Sequence, residues 1–186
     1  MLKVLKRGIM KKKMLILTVI FFAGLLACGT VYYFIRNDVL FSVTITFGTC
    51  FYHFGMRLAV GHGINAIFHN KMDYNRRWFK EKKFEAKLYK IIKVKKWKKL
   101  MPTYDPKSFS ATERSVEEIV QATCQSEIVH EIIMLLSFVP VIFTVWFGSL
   151  LVFLITSCLA FCFDGIFVIM QRYNRPRLMR LLKRNT

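Results

Sequence analysis

Four uninterrupted apolar runs constrain this chain more than any other feature. They cover residues 14–35, 39–60, 128–147 and 149–170, and each is close to the roughly 20 residues that a helix needs to cross a bilayer. Only helices and closed barrels satisfy their backbone hydrogen bonds in hydrocarbon, and these runs are continuous rather than alternating. The sequence therefore predicts an all-α integral membrane protein, a four-helix bundle formed by a single domain over residues 1–186.

The distribution of charge predicts how this bundle is oriented. The chain has 29 Lys plus Arg against 11 Asp plus Glu, a formal net charge of +18. Most of the basic residues precede residue 14, lie within residues 70–118 or follow Met170, whereas the turns near Asn37 and Gly148 carry almost none. Because short cytoplasmic loops are enriched in Lys and Arg, both termini and the 70–118 segment are predicted to be cytoplasmic.

The same basicity bears on the partners of the chain. A sequence pI of about 10.0 is compatible with nucleic-acid binding, but the basic residues lie at membrane flanks and no nucleic-acid-binding motif is present. We therefore expect these residues to face the anionic headgroups of the bilayer, and we expect no nucleic-acid partner.

The N-terminal region allows two interpretations. Lysines at residues 11–13 precede an apolar run that contains the letters LLACG at residues 25–29. This pattern resembles a signal peptide or a lipoprotein site, with residues 1–27 removed and Cys28 lipidated. The apolar run continues to Ile35, which favours an uncleaved first span.

The cysteines indicate neither a disulfide framework nor a metal site. Their number, five, is odd, and no C-x-x-C spacing occurs. Structural zinc sites and disulfide-stapled domains depend on such spacing or on paired cysteines. We expect no metal ligands in this chain.

The predicted cytoplasmic segment, residues 70–118, contains a Lys-rich and aromatic region over residues 76–100. Its apolar side chains at helical spacing are Phe84, Leu88, Ile91 and Ile92. This pattern predicts an amphipathic helix in the headgroup layer, with Trp78 and Trp97 as interfacial anchors. The alternative is a solvated helix that packs on the spans.

Two local signals predict where helices begin and end. The letters SATE at residues 110–113 match a capping box, so we expect a helix from about Ala111 into the third span, bent near Pro140. The glycines in Gly61-His62-Gly63 are expected to form a turn that ends the second span.

Ionisable side chains in membrane helices are functional candidates, because their burial in hydrocarbon is costly. Glu127, His130 and Glu131 stand at i, i+3 and i+4 and therefore share one helix face. A carboxylate beside an imidazole raises the basicity of the ring, which suits a general base that acts on a hydroxyl. The alternative is an interfacial ion pair or a helix-end contact.

A second candidate pair lies in the second span. His53 and Arg57 stand at i and i+4, which places them on one face as possible substrate-binding groups. Arg57 is near enough to the end of the span for its guanidinium to reach the inner surface. His53 lies deeper, where an imidazole is harder to explain as a surface group.

A donor-rich cluster follows the fourth run at once. It consists of Gln171, Arg172, Tyr173, Asn174 and Arg175. Arginine forks bind carboxylate or phosphate in bidentate fashion, so the cluster predicts binding of an anionic substrate group at the bilayer surface. A basic stop-transfer flank is the alternative, although such a flank has no need of the amides or the phenol.

Three motifs in a fixed order resemble one protein family. They read KKWKKLMP over residues 95–102, T-C-x-x-E-x-x-H over residues 123–130 and QRYNRPRL over residues 171–178. Together they resemble the bacterial glycosyl-4,4'-diaponeurosporenoate acyltransferase family of carotenoid biosynthesis, over about residues 70–182. The last motif is the specific one.

The resemblance implies a membrane enzyme that moves a fatty acyl group from acyl-CoA or acyl carrier protein to a sugar hydroxyl. The implied acceptor is a glycosylated carotenoid acid or a related glycolipid, the implied location is the bacterial cell membrane, and no cofactor besides the thioester co-substrate is expected. Combined with the residues above, it gives a hypothesis in which His130 removes the hydroxyl proton and Glu127 orients His130. Arg172 and Arg175 would hold donor phosphate or the developing oxyanion.

The chain departs from the pattern of this family at two places. Asp164 and Ile166 stand where relatives carry Asn and Pro, and Glu131 stands where relatives carry Trp. The acceptor is therefore left open between a glycosylated carotenoid acid and other glycolipids.

Two other classes of function are compatible with the residues. A non-catalytic membrane scaffold would use the polar helix faces only to join helices. A different small membrane transferase, such as a lipid methyltransferase, would use a soluble donor.

Overall fold

The computed structural model describes residues 9–185, and that part of the chain is helical without a strand. Residues 1–8 and 186, the ends of the predicted domain, lie outside the described part. The helices, in chain order, are α1 (Ile9–Ile35), α2 (Asp38–Phe68), α3 (Glu85–Ile91), α4 (Val94–Trp97), α5 (Val116–Leu136), α6 (Val139–Ile142), α7 (Thr144–Phe147) and α8 (Leu150–Asn185). The fold class predicted from the apolar runs is confirmed as all-helical.

Four segments are long and apolar enough to cross a membrane: Met10–Ile35, Asp38–Phe68, Val116–Phe147 and Leu150–Arg184. They contain the four apolar runs of the sequence and extend beyond them. This agrees with a multi-pass membrane protein, whereas the predicted cytoplasmic side of the loop and the termini stays a prediction.

Helices α1 and α2 form a hairpin. Asn37 begins α2 by accepting hydrogen bonds from the backbone N–H groups of Val39 and Leu40, which satisfies donors that a helix start leaves free. The helices approach closely at Gly24, where a Cβ would lie 2.4 Å from the ring of Phe47. No residue in the most apolar window of α1 is buried, so this helix presents most of its surface to its surroundings.

Helices α5 and α8 run antiparallel and form the centre of the bundle with α2. Arg175 contacts Thr123, and Gln171 contacts Ser126. Residue numbers fall along α8 as they rise along α5, which defines the antiparallel register.

One stripe of α8 faces this centre. Its buried residues are Phe153, Ser157, Asp164, Phe167, Gln171 and Arg175. They recur at intervals of three, four or seven, the spacing of a helix seam that packs against another helix. Asp164, Gln171 and Arg175 belong to this stripe, so the packing of α8 places charged and amide side chains inside the bundle.

The predicted start of the third helix is wrong by one turn or more. The capping box forms at Ser115 and Glu118: Glu118 N donates to Ser115 Oγ (3.2 Å) and Ser115 N donates to Glu118 Oε2 (2.8 Å). At the predicted box, the hydroxyl of Ser110 instead pairs with that of Thr112, so no cap forms there. The predicted bend is confirmed, because α5 ends at Leu136 and the short helix that contains Pro140 follows.

The second and fourth helices run past their predicted ends. Helix α2 continues through Gly61 and Gly63 to Phe68 and ends at His69, which adopts the left-handed conformation with φ 49°. The predicted glycine turn is therefore wrong: glycine disfavours a helix interior by only about 1 kcal/mol, and Gln125 Nε2 holds the later turn by donating to Asn65 Oδ1 (3.1 Å). Helix α8 continues through Pro176.

The segment between α2 and α5 does not form the single amphipathic helix predicted over residues 76–100. Lys93 adopts a left-handed conformation (φ 52°) and separates α3 from α4. Phe84 and Ile91 are exposed, whereas Glu85 and Tyr89 are buried against the bundle. The polar contacts of Glu85, described below, turn the segment onto α8, and the headgroup position of the exposed apolar residues stays a prediction.

Candidate functional site

The polar residues inside the bundle form two clusters at different depths. We call Arg57, His130 and Asp164 the histidine–aspartate cluster; Glu85, Glu127, Arg172 and Arg175 form the arginine–glutamate cluster. At a rise of 1.5 Å per residue, Asp164 lies about 21 Å along α8 from Leu150 and Arg172 about 33 Å. The hydrocarbon core of a bilayer is about 30 Å thick, so the first cluster lies within a spanning length and the second near its end.

In the histidine–aspartate cluster one buried carboxylate joins three helices. His130 Nδ1 lies 2.9 Å from Asp164 Oδ1, and Arg57 Nη2 donates to Asp164 Oδ2 at 2.5 Å. The side chain of Asp164 is only 1% exposed. A carboxylate that pairs with a guanidinium on one oxygen accepts a hydrogen bond from Nδ1–H on the other.

This contact fixes the chemistry of His130. With its proton on Nδ1, the neutral ring leaves Nε2 as an acceptor. The ring stacks on Phe167 with a centroid distance of 4.7 Å and an angle of 9°, and the side chain keeps 21% exposure. An oriented imidazole with a free, partly exposed nitrogen is what a general base requires.

His53 extends this cluster toward the middle of the bundle. It is buried, and both of its ring nitrogens lack a hydrogen-bond partner among the residues that the structure describes. Its backbone carbonyl accepts a hydrogen bond from Arg57 Nη1 (2.8 Å). Arg57 therefore points to Asp164 and not, as the alternative held, to the inner surface. A buried ring without partners is unusual and suits a site that accepts a polar group.

The arginine–glutamate cluster is different, because its donors are already used. Arg172 donates four hydrogen bonds at 2.5–3.1 Å: from Nε to Glu85, from Nη1 to Glu127 and the carbonyl of Trp78, and from Nη2 to the carbonyl of Lys80. Its Nη2 also lies 2.6 Å from Glu85 Oε1, so all three nitrogens of the guanidinium are engaged within the protein. Arg172 thereby fastens the segment before α3 to α5 and α8.

Arg175 completes this cluster. Its Nη2 donates to Glu127 Oε2 (2.5 Å) and to the carbonyl of Thr123 (3.1 Å), and Nη1 donates to the carbonyl of Phe79 (3.3 Å). Both oxygens of Glu127 thus accept from arginines. Substrate binding by Arg172 and Arg175 stays a prediction, but their contacts within the protein are those of a structural joint.

The expected pairing of Glu127 with His130 is therefore wrong. The two residues share a helix face, but Glu127 is directed at the arginines and Asp164 takes the position beside the imidazole. Helical spacing shows which residues can be neighbours, and the partner helix decides which of them meet. Sequence reasoning missed Asp164, although a lone Asp inside an apolar run is a signal for function.

The other candidate residues lie around the arginine–glutamate cluster. Glu131 accepts from Trp78 Nε1 (3.0 Å), and Gln171 Nε2 donates to Ser126 Oγ (3.0 Å). Tyr173 and Asn174 face the segment after α4, away from Glu127. Tyr173 also contacts the ring of Tyr89 edge-on.

Tyr89 connects the loop to the arginine–glutamate cluster. Its hydroxyl donates to Glu85 Oε2 (3.0 Å). Burial, followed by this hydrogen bond to a carboxylate, raises the pKa of the Tyr89 phenol above its usual range. The phenol therefore remains a donor at any physiological pH, and Glu85 keeps partners on both oxygens.

An apolar cavity of about 330 Å³ lies on the other side of His53. Thr49 and Tyr52 line it from α2, with aromatic rings of α1, α2 and the segment around α7. Thr49 stands one turn from His53 on the buried face of α2. Thr49 is therefore about two helical turns from Arg57 of the histidine–aspartate cluster, with His53 between them.

No metal site is apparent in residues 9–185. No group of three His, Cys, Asp or Glu side chains there is arranged to hold an ion. The five cysteines are free thiols, of which Cys124 is buried and Cys158 and Cys162 are exposed.

Comparison with known proteins gives one match. The family model described as glycosyl-4,4'-diaponeurosporenoate acyltransferase matches residues 75–184, which is more than half of the chain and includes α3 to α8 apart from the last residue of α8. No curated protein matches the chain, and no solved structure does. The matched region contains both His130 and Asp164, whereas Arg57 and His53 precede it.

Proposed function

Because the chain belongs to the glycosyl-4,4'-diaponeurosporenoate acyltransferase family, we propose that it transfers a fatty acyl group from a thioester donor to a sugar hydroxyl. The proposed acceptor is a glycosylated carotenoid acid or a related glycolipid in the bacterial cell membrane. The donor is acyl-CoA or acyl carrier protein, and no other cofactor takes part.

One observation carries this proposal: the 2.9 Å contact between His130 Nδ1 and buried Asp164. It leaves Nε2 of His130 to accept a proton from the sugar hydroxyl while the hydroxyl oxygen attacks the thioester carbonyl carbon. The C–S bond then breaks, the new ester C–O bond remains, and the thiolate leaving group takes the proton from the imidazolium. No covalent acyl-enzyme is needed.

Each polar group has a separate part in this reaction. Asp164 orients His130 and stabilises the imidazolium, and Arg57 holds Asp164 in place by its hydrogen bond to Oδ2. Glu127 does not touch the imidazole; it joins the arginines that fasten the loop to the helices. His53, with two unpartnered ring nitrogens, is the residue best placed to meet a polar group of the acceptor.

The apolar cavity supports a lipid-borne acceptor. Its aromatic lining suits a long hydrocarbon chain, because apolar pockets with a few polar groups at one end are typical of lipid and ligand sites. Tyr52 lines the cavity and its ring contacts that of His53 edge-on, so the cavity lies beside the buried imidazole. A chain held there would present its sugar toward His130.

An acyl-transfer assay tests the assignment of His130. The protein, reconstituted in lipid discs, is given a glycosylated carotenoid acid and radiolabelled palmitoyl-CoA, and the acylated product is measured. His130→Ala should lose the activity. The matched control is His62→Ala, because His62 is exposed and its ring contacts only the carbonyl of Leu58. Full activity of His130→Ala would remove this residue from the mechanism.

A lipid profile of cells with and without the gene separates the three classes of function. Loss of an acylated glycolipid supports the proposed transfer. Loss of a methylated lipid would instead support a methyltransferase, and an unchanged profile would support a scaffold. If an acylated glycolipid other than a carotenoid disappears, the reaction stands and the acceptor is replaced.

A further inference from the structure

Four side chains at the loop end of α8 form a group that neither cluster uses. We call Lys98, Tyr173, Asn174 and Arg177 the Tyr173 cluster. Lys98 Nζ lies 4.8 Å from the ring centroid of Tyr173 and donates to Asn174 Oδ1 at 2.6 Å. Arg177 Cζ lies 4.2 Å from the same centroid, and its Nη2 donates to the Tyr173 hydroxyl at 2.6 Å. Two cations thus share one aromatic ring.

These two cations lack an acidic partner. Within residues 9–185 no carboxylate forms an ion pair with Lys98 or Arg177, whereas Arg172 and Arg175 both bind glutamates. Burial, and then the charges of Arg177 and Lys99, hold the pKa of Lys98 below its usual range. Like charges held close together repel one another. An anion bound between them would remove this repulsion.

The Tyr173 cluster also has donors to spare. Lys98 uses one of its three N–H groups and Arg177 one nitrogen in contacts with described residues. Because Asn174 accepts from Lys98 through Oδ1, its Nδ2 group points elsewhere and can donate. This is the reverse of Arg172, whose three nitrogens all donate to groups of the protein.

The cluster lies on the water side of the bundle. Arg177 is about 40 Å along α8 from Leu150, beyond the roughly 30 Å of a hydrocarbon core. Its side chain is exposed, as is that of neighbouring Lys99. Lys98 comes from the turn after α4 and Arg177 from α8, so the fold has already brought the two cations together.

We propose that Lys98, Asn174 and Arg177 bind a phosphate group of the acyl donor. Phosphate accepts several charge-assisted hydrogen bonds and is recognised by such groups of Arg and Lys. The inference rests on the proposed acyl transfer, because it identifies the donor as a phosphate-bearing thioester such as acyl-CoA. The phosphate of an anionic phospholipid has the same chemistry, and the experiment distinguishes the two sources.

The test measures the binding of coenzyme A to the full chain by titration calorimetry. The chain is reconstituted in lipid discs of phosphatidylcholine. Lys98→Gln/Arg177→Gln should weaken the affinity by about 10-fold or more, since hydrogen bonds to charged groups are the strong ones. The matched control, Arg180→Gln, removes one exposed positive charge from the same helix and should bind coenzyme A as the natural chain does. An unchanged affinity in the double variant overturns the site.

Further arms separate the possible sources of phosphate. If the double variant binds coenzyme A normally but loses its preference for discs that contain phosphatidylglycerol, the site belongs to a lipid headgroup and the donor assignment is overturned. If the double variant is less stable than the natural chain, Lys98→Arg is tested in its place. This variant keeps the positive charge and should retain the binding of coenzyme A. Loss of binding would overturn the role of the positive charge.

The failure of this inference and that of the proposed function give different results. His130→Ala should lose acyl transfer and still bind coenzyme A with unchanged affinity. The Lys98→Gln/Arg177→Gln variant should show a raised KM for acyl-CoA with kcat retained. Coenzyme A binding at the cluster without any acyl transfer would leave the site in place and remove the reaction.

Discussion

The two polar clusters differ in how completely their hydrogen-bonding groups are used. In the arginine–glutamate cluster, Arg172 donates from all three of its nitrogens and Glu127 accepts on both of its oxygens within the protein. In the histidine–aspartate cluster, Nε2 of His130 and both ring nitrogens of His53 remain available. A saturated network holds elements in place, and an unsaturated one can accept a substrate. The difference distinguishes the joint of this bundle from its candidate reaction centre.

Depth strengthens this contrast. A charge within a spanning segment costs more than a charge near the end of one, and Asp164 with Arg57 lies about 12 Å further in than Arg172 by helical rise. The deeper pair is therefore the harder one to explain as a packing feature. The following predictions test whether the two clusters serve separate purposes, from the largest expected effect to the smallest.

Removing the central carboxylate of the joint should have the largest effect. Glu127→Ala leaves Arg172 and Arg175 buried without their shared anion, and breaking one partner of a buried ion pair costs about 3–5 kcal/mol. Thermal unfolding in detergent measures the loss. The control is Glu131→Ala, about one helical turn further along α5, where the carboxylate accepts a hydrogen bond from Trp78 and has no basic partner among residues 9–185. An equal loss in both variants would contradict the special position of Glu127.

Removing the base should reduce activity and leave the fold intact. His130→Ala should lower the rate of acyl transfer by about 10²–10⁴-fold, the usual contribution of a general base. Asp164 keeps Arg57 as a partner, so the stability should change little. A large loss of stability together with the loss of activity would assign His130 to the joint rather than to the reaction.

Asp164→Ala tests the orienting side chain. We expect kcat to fall by roughly 10²-fold or more, since the orienting carboxylate of a protease triad is worth up to about 10⁴-fold. The substitution also leaves Arg57 unpaired, and Arg57→Gln/Asp164→Ala removes that charge. Recovery of stability in the double variant without recovery of activity would identify Asp164 as a positioning residue. Recovery of both would make it structural.

His53→Leu should weaken binding of the acceptor without lowering the stability of the protein. Replacing a buried polar ring that has no partner with an apolar side chain is expected to leave the stability unchanged or raise it by about 1 kcal/mol. The KM for the acceptor should rise at the same time. Kinetics and thermal unfolding are measured on the same preparation, and a destabilised protein with an unchanged KM would show that His53 belongs to the core.

The smallest effect is expected at an exposed ion pair. Arg114 and Glu118 pair at 2.9 Å, but both side chains are nearly half exposed. Because water screens such a pair, Arg114→Ala should leave the thermal unfolding midpoint almost unchanged. A loss comparable to that of Glu127→Ala would show that burial does not set the importance of these pairs.

The sequence predicted the number and type of the long helices because hydropathy over 20 residues is a strong, additive signal. It did not predict their ends. Ser110 and Ser115 both carry an acidic residue three positions later, and only Ser115 forms the cap. The glycines at residues 61 and 63 would favour a helix break in an isolated peptide, but tertiary contacts beyond them keep α2 helical.

The sequence predicts most residues of the candidate site by their type, but it does not predict which of them pair with one another. His130, Glu127, Arg57 and the arginines were all identified from charge inside or beside apolar runs. Which residues meet depends on the rotation of α8 against α5, and that rotation comes from the whole buried stripe of α8. A single sequence does not give this rotation. Helical spacing therefore predicts Glu127 as the partner of His130 and does not identify Asp164.

The four hydrogen bonds that Arg172 donates have a consequence for variation at this position. Lysine offers three donors from a single nitrogen, so it cannot serve Glu85, Glu127 and two carbonyls at the same time. A saturation library at residue 172, scored by surviving protein, should therefore tolerate no replacement. Only joint changes that also remove the glutamates would restore a folded chain. We therefore expect residue 172 to be one of the least variable positions of this chain.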